Sequence, residues 1–280
     1  MRCAVVLTTY EQPAWLDKTL WGFRHQTDRS FELIVADDGS DAATRTIIEQ
    51  HRQRGGLIIR HIWHPDRGFQ KCQILNHAIA ATQADYVIFT DGDCVPHRDF
   101  VAWHRFFAQP RQFLSGGYLK LQAETSAALR DADIAAGHHT DPAWLYEHGE
   151  QRLSRNLKLR CQGGQWAKLY DRLTTTRPSW NGHNASTWRA YILAANGFDH
   201  RMQYGGQDRE FGERLVNAGI KPKQIRHHAI CLHLDHPRGY AKPESIAKNR
   251  AIRAETRRSG RTYAESGLAQ RDTCEVRVDD

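Results

Sequence analysis

Four short apolar runs, CAVVLT (3–8), ELIVA (32–36), LIIRHI (57–62) and YVIFT (86–90), alternate with helical patterns over 13–26, 41–54 and 72–81. No other feature constrains the chain as much. Strand followed by helix, repeated, is the pattern of βαβ units around a mainly parallel sheet. ELIVA and YVIFT are nearly continuous in apolar residues, as strands covered on both faces are. Each runs directly into acids: Asp37-Asp38-Gly39-Ser40 after the first, Asp91-Gly92-Asp93 after the second. Carboxylates therefore collect at the carboxyl edge of one sheet, the edge at which open α/β sheets bind ligands.

The rest of the chain is consistent with one compact unit. Its 280 residues, 40% hydrophobic and 25% charged, exclude disorder and fibrous repeats. A chain of this size buries roughly 75% of the surface it exposes when unfolded. A net charge of +7 favours anionic partners, namely nucleotides, phospholipid headgroups or nucleic acid, without choosing among them. Six scattered cysteines (Cys3, Cys72, Cys94, Cys161, Cys231 and Cys274) form no C-x-x-C pair and fit reduced thiols in a cytosol. The first apolar run is too short for a signal or spanning helix, so any membrane contact is expected to be peripheral. Residues 120–177 are polar, with patchy helical periodicity over 123–136 and 142–159, and read as a substrate-facing insertion. Order returns from Trp180, with helices expected over 188–195 and 208–218, and Gly219 as a stop. Residues 244–261 read as a basic helix, followed by a polar tail.

Several residues could carry chemistry, each with a plainer alternative. Asp91 and Asp93 lie two apart after a strand, so both carboxylates can face one ligand, and Gly92 permits close backbone approach. Such a pair suits a divalent ion bound to a diphosphate; the alternative is a polar turn. Asp38 could accept from a base N–H or a ribose hydroxyl, or belong to an Asp-Gly turn capping the next helix. Tyr10 could stack on a nucleobase or pack in its loop. Asp208, after Gly205-Gly206-Gln207 at a helix start, could be a proton acceptor or only a helix cap. The paired glycines suggest a loop that a ligand approaches closely. His233 ends a short apolar run and could ligate a metal or satisfy a local hydrogen bond, with His228 and His236 competing for the role.

Taken together and in order, VVLTTYEQP, ELIVADDGS, DRGFQKCQILNHAI, DYVIFTDGDCVP, WNGHNASTWRAYILAANGFD with YGGQDREFGERL, and HLDHP resemble family 2 glycosyltransferases of the GT-A fold. The resemblance covers most of the chain and is to bacterial enzymes of lipopolysaccharide, capsule and other surface-polysaccharide synthesis, with a galactosyltransferase-like C-terminal portion. It implies an α/β fold: a mainly parallel sheet flanked by helices, a helical insertion and a C-terminal helix. One catalytic domain would span 1–240, with a nucleotide-sugar-binding part at 1–119, the insertion at 120–179 and an acceptor and catalytic part at 180–240. A basic helix and tail at 241–280 would follow. The implied activity is inverting, metal-dependent transfer of a sugar from a nucleotide-sugar, UDP-sugar first, to a hydroxyl of a glycan or lipid-linked acceptor. Mn²⁺ or Mg²⁺ would be the cofactor. The resemblance places Thr8, Tyr10 and Asp38 at the nucleoside, Arg67, Gly68 and Lys71 at the donor loop, and Asp91 at ribose and metal. Asp93 and His233 would hold the metal, Asp208 would be the catalytic base, and Trp180, Asn181 and Gly182 would floor the donor-sugar and acceptor site. Two positions depart from the family: Gln207 replaces the Glu of a Glu-Asp pair, and Leu75 replaces an Arg often found before Asn76. The expected place of work is the cytoplasm, at the inner membrane face, with the basic segment 248–261 on anionic phospholipid.

Two other readings compete. A sugar nucleotidyltransferase would share the sheet and the metal, but it carries a Gly-rich basic loop after the first strand where this chain has Thr9-Tyr10-Glu11-Gln12-Pro13. A non-enzymatic basic protein could bind an anionic surface through its C-terminal arginines. No nucleic-acid recognition motif is present, so nucleic acid is not an expected partner.

Overall fold

The structure, a computed structural model, describes residues 1–150, 157–160, 163–236, 242–272 and 275–279. The expected alternation is there: β1 (Cys3–Thr9), α1 (Pro13–Arg24), β2 (Glu32–Asp37), α2 (Ala42–Gln53), β3 (Ile59–Trp63), α3 (Lys71–Ala81) and β4 (Tyr86–Asp91). These four strands are mutually parallel, in the order β3-β2-β1-β4. Their period-two alternation divides the core. Val6, Ile34 and Phe89 pack on one side with residues of α3, while Leu7, Val35 and Ile88 pack on the other with residues of α1. The fold is a mixed, mostly parallel sheet flanked by helices, with helical insertions and a C-terminal helix, as a GT-A-like α/β fold requires.

The remainder departs from the simple pattern. After β5 (Cys94–Pro96) and α4 (Phe100–Phe107) come β6 (Gln112–Ser115) and β7 (Gly117–Lys120). The insertion follows as α5 (Ala123–Ala128), α6 (Asp131–Ala136), a 3-10 turn at His138–Thr140, α7 (Pro142–Glu147), α8 (Leu157–Arg160) and α9 (Gly164–Leu173). Then come β8 (Ala185–Trp188), α10 (Arg189–Ala194), α11 (Gln207–Asn217), β9 (Lys221–Gln224), β10 (Ile230–His233), α12 (Pro243–Ser259) and β11 (Arg277–Asp279). The large sheet runs β11-β3-β2-β1-β4-β8-β6-β9, and a small sheet runs β5-β10-β7.

Three expectations need correction. The helix expected over 123–136 is broken at Leu129 and Arg130, which are extended; the break lets Leu129 enter a core cluster with Val95 and Leu232. The helix expected over 142–159 stops at Glu147 within the described residues, and Cys161 and Cys274 lie outside them. The polar tail is not wholly a tail: β11 pairs antiparallel with β3 and covers a sheet edge that would otherwise present unpaired backbone groups. Cys3, Cys72, Cys94 and Cys231 are buried free thiols. No helix among the described residues is long and apolar enough to cross a membrane.

One buried ion pair ties the second half together. Arg214 on α11 is fully buried; its Nε donates to both oxygens of Glu210, one turn earlier, at 2.9 and 3.0 Å. Its other nitrogens donate to the carbonyls of Ala195 and Gly197, and Thr256 of α12 donates to Glu210 at 2.9 Å. Removing one partner leaves a buried charge uncompensated. Glu210→Ala is expected to destabilise the fold by about 3–5 kcal/mol, read as a lower denaturant midpoint; an unchanged midpoint would contradict this account.

Candidate active site

The parallel register brings the strand ends into one row. Thr8 lies opposite Asp91, and its hydroxyl donates to Asp91 Oδ1 at 2.7 Å. Lys71, the first residue of α3, donates to the same oxygen at 2.6 Å. Burial alone would push Lys71 toward neutrality, but the carboxylates of Asp91, Asp208 and Asp93 outweigh it and hold the ammonium above its usual range. Asp38, beyond β2, accepts from His64 Nε2 at 2.7 Å and from the Gln70 backbone at 3.0 Å. Burial raises its pKa, and these two bonds only partly offset the rise. Gly39 has φ +96°, and a Cβ there would lie 2.5 Å from Asp66 Cα, so the loop after β3 can settle only on a glycine.

Asp66 in turn fixes the rim. Tyr10, half exposed, donates its hydroxyl to Asp66 at 3.0 Å, and the Gly68 N–H bonds the same side chain at 2.8 Å. A Cβ on Gly68 would meet nothing within 4 Å, so this loop borders open space. Arg67 is held elsewhere: it pairs with Glu275 at 2.6 Å and Asp272 at 3.8 Å in the C-terminal segment. Leu75, at the family's usual Arg position, is buried in the core.

The second acid sits differently from Asp91. Gly92 makes a close backbone approach, but to Thr8 and Thr9: its N–H bonds Thr8 O at 2.7 Å, and a Cβ would stand 3.0 Å from Thr9 Oγ1. The turn so made carries Asp93 onto the small sheet, where Cys94 is paired with His233. Asp93 Oδ2 lies 3.6 Å from His233 Nε2 and 2.7 Å from His236 Nε2. Burial would raise the Asp93 pKa, but the His236 hydrogen bond and the two imidazoles hold it at about 2, so it is a carboxylate. His233 Nδ1 bonds Leu234 O at 2.8 Å, so Nδ1 carries a hydrogen and Nε2 is the nitrogen turned toward Asp93. Asp93, Cys94 and His233 place ligand atoms within 4.8 Å of one another. Burial keeps Cys94 a thiol, so the hard-cation donors are Asp93 and His233.

Asp208 completes the cluster from the first turn of α11. Burial raises its pKa; Lys71 opposes this and Asp91 reinforces it. Its Oδ1 is buried without a partner. The paired glycines before it are not open to a ligand: Cβ atoms there would lie 3.0 Å from Ile246 and 3.1 Å from Arg253, because α12 packs on them. The Gln207 amide oxygen accepts from the Gly205 N–H at 3.0 Å, so it braces the loop. Gly182 faces Asp208 directly, since a Cβ there would stand 2.5 Å from Asp208 Oδ1. Its neighbours divide: Asn181 donates to Ser115 at 3.3 Å and leaves Oδ1 buried and unpaired, whereas Trp180 is 1% exposed and packs edge-on against Phe89, Phe113 and Phe211. The indole is therefore core rather than site floor.

Sequence reasoning passed over His183, inside the quoted WNGHN segment. Its ring stands edge-on to Tyr118 at 4.5 Å, and its Nε2 is buried without a partner. Burial lowers its pKa to about 4, with Asp91, His233, Lys71 and Asp93 all acting on it. A neutral imidazole thus borders both acids of the D-x-D. Gly182→Ala should displace the Asp208 carboxylate and lower kcat while the melting temperature stays close to that of the parent. A normal kcat would show that the Gly182–Asp208 contact does not matter.

A family model described as glycosyl transferase family 2 matches residues 4–103. Chondroitin synthase of Pasteurella multocida (strain Pm70) is 25% identical over 77% of this chain and 23% of its own length. The uncharacterized glycosyltransferase YfnE of Bacillus subtilis (strain 168) is 25% identical over 89% of this chain and 69% of its own. The chain thus spans about a quarter of the length of the chondroitin synthase and most of YfnE. Among solved structures, S. aureus TarS 1–349 in complex with UDP-GlcNAc superposes with TM-score 0.61 at 13% identity, over 91% of this chain and 66% of that one. The Pyrobaculum calidifontis mannosyltransferase PcManGT in complex with GDP-Man and Mn²⁺ gives 0.56 at 19% identity, over 85% and 58%. The chain is a family-2-glycosyltransferase-like protein with a GT-A-like fold.

Proposed function

We propose that this chain transfers a sugar, with inversion, from a nucleotide-sugar to a hydroxyl of a glycan or lipid-linked acceptor in bacterial surface-polysaccharide synthesis. The observation that carries this reading is the Asp208 carboxylate: half-buried, with its Oδ1 buried and unpartnered, beside Lys71, at the strand edge that also holds the Asp93–His233 pair. Residues 1–240 would form the catalytic unit. Thr8, Tyr10 and Asp38 would hold the nucleoside, UDP first; TarS is seen with UDP-GlcNAc and PcManGT with GDP-Man, so GDP is the runner-up. Gly68 and Lys71 would meet the diphosphate, and Asn181 and Gly182 the sugar. Mn²⁺ or Mg²⁺, held by Asp93 and His233, would supply neutralisation of charge on the leaving diphosphate.

The protein's own groups carry the rest. Lys71 balances the acids so that an anionic donor can approach an edge lined with carboxylates. Asp208 takes the proton of the acceptor hydroxyl as that oxygen attacks from the face opposite the nucleotide. Its raised pKa makes it a better base than an exposed Asp, but only once it is deprotonated. The carboxylate is the active form, so the rate falls as pH drops through the raised pKa. The acid limb should lie above the ordinary Asp value of about 3.9.

Nucleotide binding tests the donor site. Calorimetry with UDP, GDP, dTDP and CDP, each with Mn²⁺ and again with EDTA, should show one nucleotide tightened by at least about tenfold by the metal, and Asp93→Ala should abolish the gain. No metal-dependent binding to any of the four would refute the reading. Asp208→Asn should lower transfer by ~10²–10⁴-fold, remove the acid limb and leave nucleotide affinity unchanged. Full activity in that variant would dismiss Asp208 as the base.

A further inference from the structure

Helix α9 is mounted with its apolar side outward. Asp171 turns inward and accepts from His227 Nδ1 at 2.7 Å and from His228 Nδ1 at 2.6 Å, while the His227 N–H adds a third bond at 2.9 Å. Both imidazoles are buried, and Ala167 is buried on the same side of the helix. At 3.6 residues per turn, Trp166, Leu169 and Leu173 share the opposite face. They are 69%, 42% and 66% exposed. A helix that packs through a carboxylate and shows solvent a tryptophan and two leucines reverses the usual arrangement of a surface helix.

The charge beside that stripe has one sign. Lys168 and Arg172 stand along one flank of the helix, both exposed, and Asp171 is the sole acid between residues 163 and 188. Lys223, on β9, lies near enough to Lys168 to feel its charge. Arg226, on the segment that follows, donates to Thr176 just past the end of α9. By contrast, the C-terminal helix that looked like the basic surface uses much of its charge internally. Arg253 and Arg257 both bond Glu213, at 2.6 and 2.9 Å, and Arg258 bonds Glu255.

We propose that the outward face of α9 docks on an anionic lipid surface, with Trp166, Leu169 and Leu173 entering the headgroup boundary and Lys168 and Arg172 meeting lipid phosphates. An apolar stripe carrying an indole and flanked by Lys and Arg is the chemistry of a helix lying in a membrane interface. A second copy of this chain fits less well, because a self-complementary contact would bring cationic flanks together. The inference does not rest on the sugar-transfer reading, and its test measures no transfer.

The test is sedimentation of the full chain with vesicles of phosphatidylglycerol and phosphatidylcholine, and with phosphatidylcholine alone. Binding is expected only to the anionic vesicles, weakening as salt is raised. The triple variant Trp166→Ser, Leu169→Ser, Leu173→Ser and the pair Lys168→Glu, Arg172→Glu should each lower partitioning by about tenfold or more. Unchanged melting temperatures would exclude misfolding, since all five side chains are exposed. Charge reversal at Arg250 and Arg258 of α12 should leave binding intact. Absence of binding to anionic vesicles, binding that survives both α9 variants, or binding lost through α12 would each overturn the proposal. A dimer in light scattering that the triple variant dissociates would overturn it in favour of a second copy.

Discussion

Lys71 is the countercharge on which the strand edge depends. Parallel strands all end on one side, so acids that follow them are forced together, and like charges in a poorly solvated place repel. Asp91, Asp93 and Asp208 all act on the single ammonium of Lys71, which bonds Asp91 directly. The helix α3 that begins at Lys71 is buried along much of its length, so the ammonium is delivered by a rigid element rather than a loop. Without it, the pKa of Asp208, which burial and the neighbouring Asp91 already raise, would rise further.

The site is assembled by two sheets with different duties. The large sheet supplies Thr8 and Asp91 in register, with Asp38 just past the end of β2, and the small one holds Asp93 against His233 across β5 and β10. Gly92 joins them: its N–H bond to Thr8 O turns the chain between the two acids, so Asp91 faces Lys71 while Asp93 faces histidines. The D-x-D is therefore not one bidentate claw but two carboxylates with separate partners. Asp208 arrives from a third element, α11, braced by the Arg214–Glu210 pair and by α12 packed over Gly205 and Gly206.

Much of this was legible in the chain itself. Continuous apolar strands and the acids that end them are local features, so the parallel half of the sheet, the edge where its acids gather and the positions of Asp38, Asp91 and Asp93 could be read directly. The short strands after Pro96 could not, because three- and four-residue strands such as Cys94–Pro96 and Arg277–Asp279 carry too few alternations to register as a period. Side-chain direction was likewise hidden. Trp180 and Gly182 are two residues apart in one motif, yet one fills the core between Phe89 and Phe211 and the other supports Asp208. The paired glycines suggest room for a ligand, yet Ile246 and Arg253 fill it, since a sequence shows that a backbone is bare but not what approaches it.

By itself, the sequence determined the fold class, the edge where the acids gather and the residue types found there, because hydrophobic periodicity and strand polarity act over a few residues. Tertiary structure decided the partners: His64 on Asp38, Lys71 on Asp91, His233 and His236 on Asp93, and the outward stripe of α9. Each of those pairings except the last joins residues roughly 20 to 140 apart in the chain, and such contacts are set by how layers pack rather than by any local pattern. The orientation of α9 follows the same rule. Its own residues are compatible with either face turned inward, and the waiting imidazoles of His227 and His228 choose Asp171.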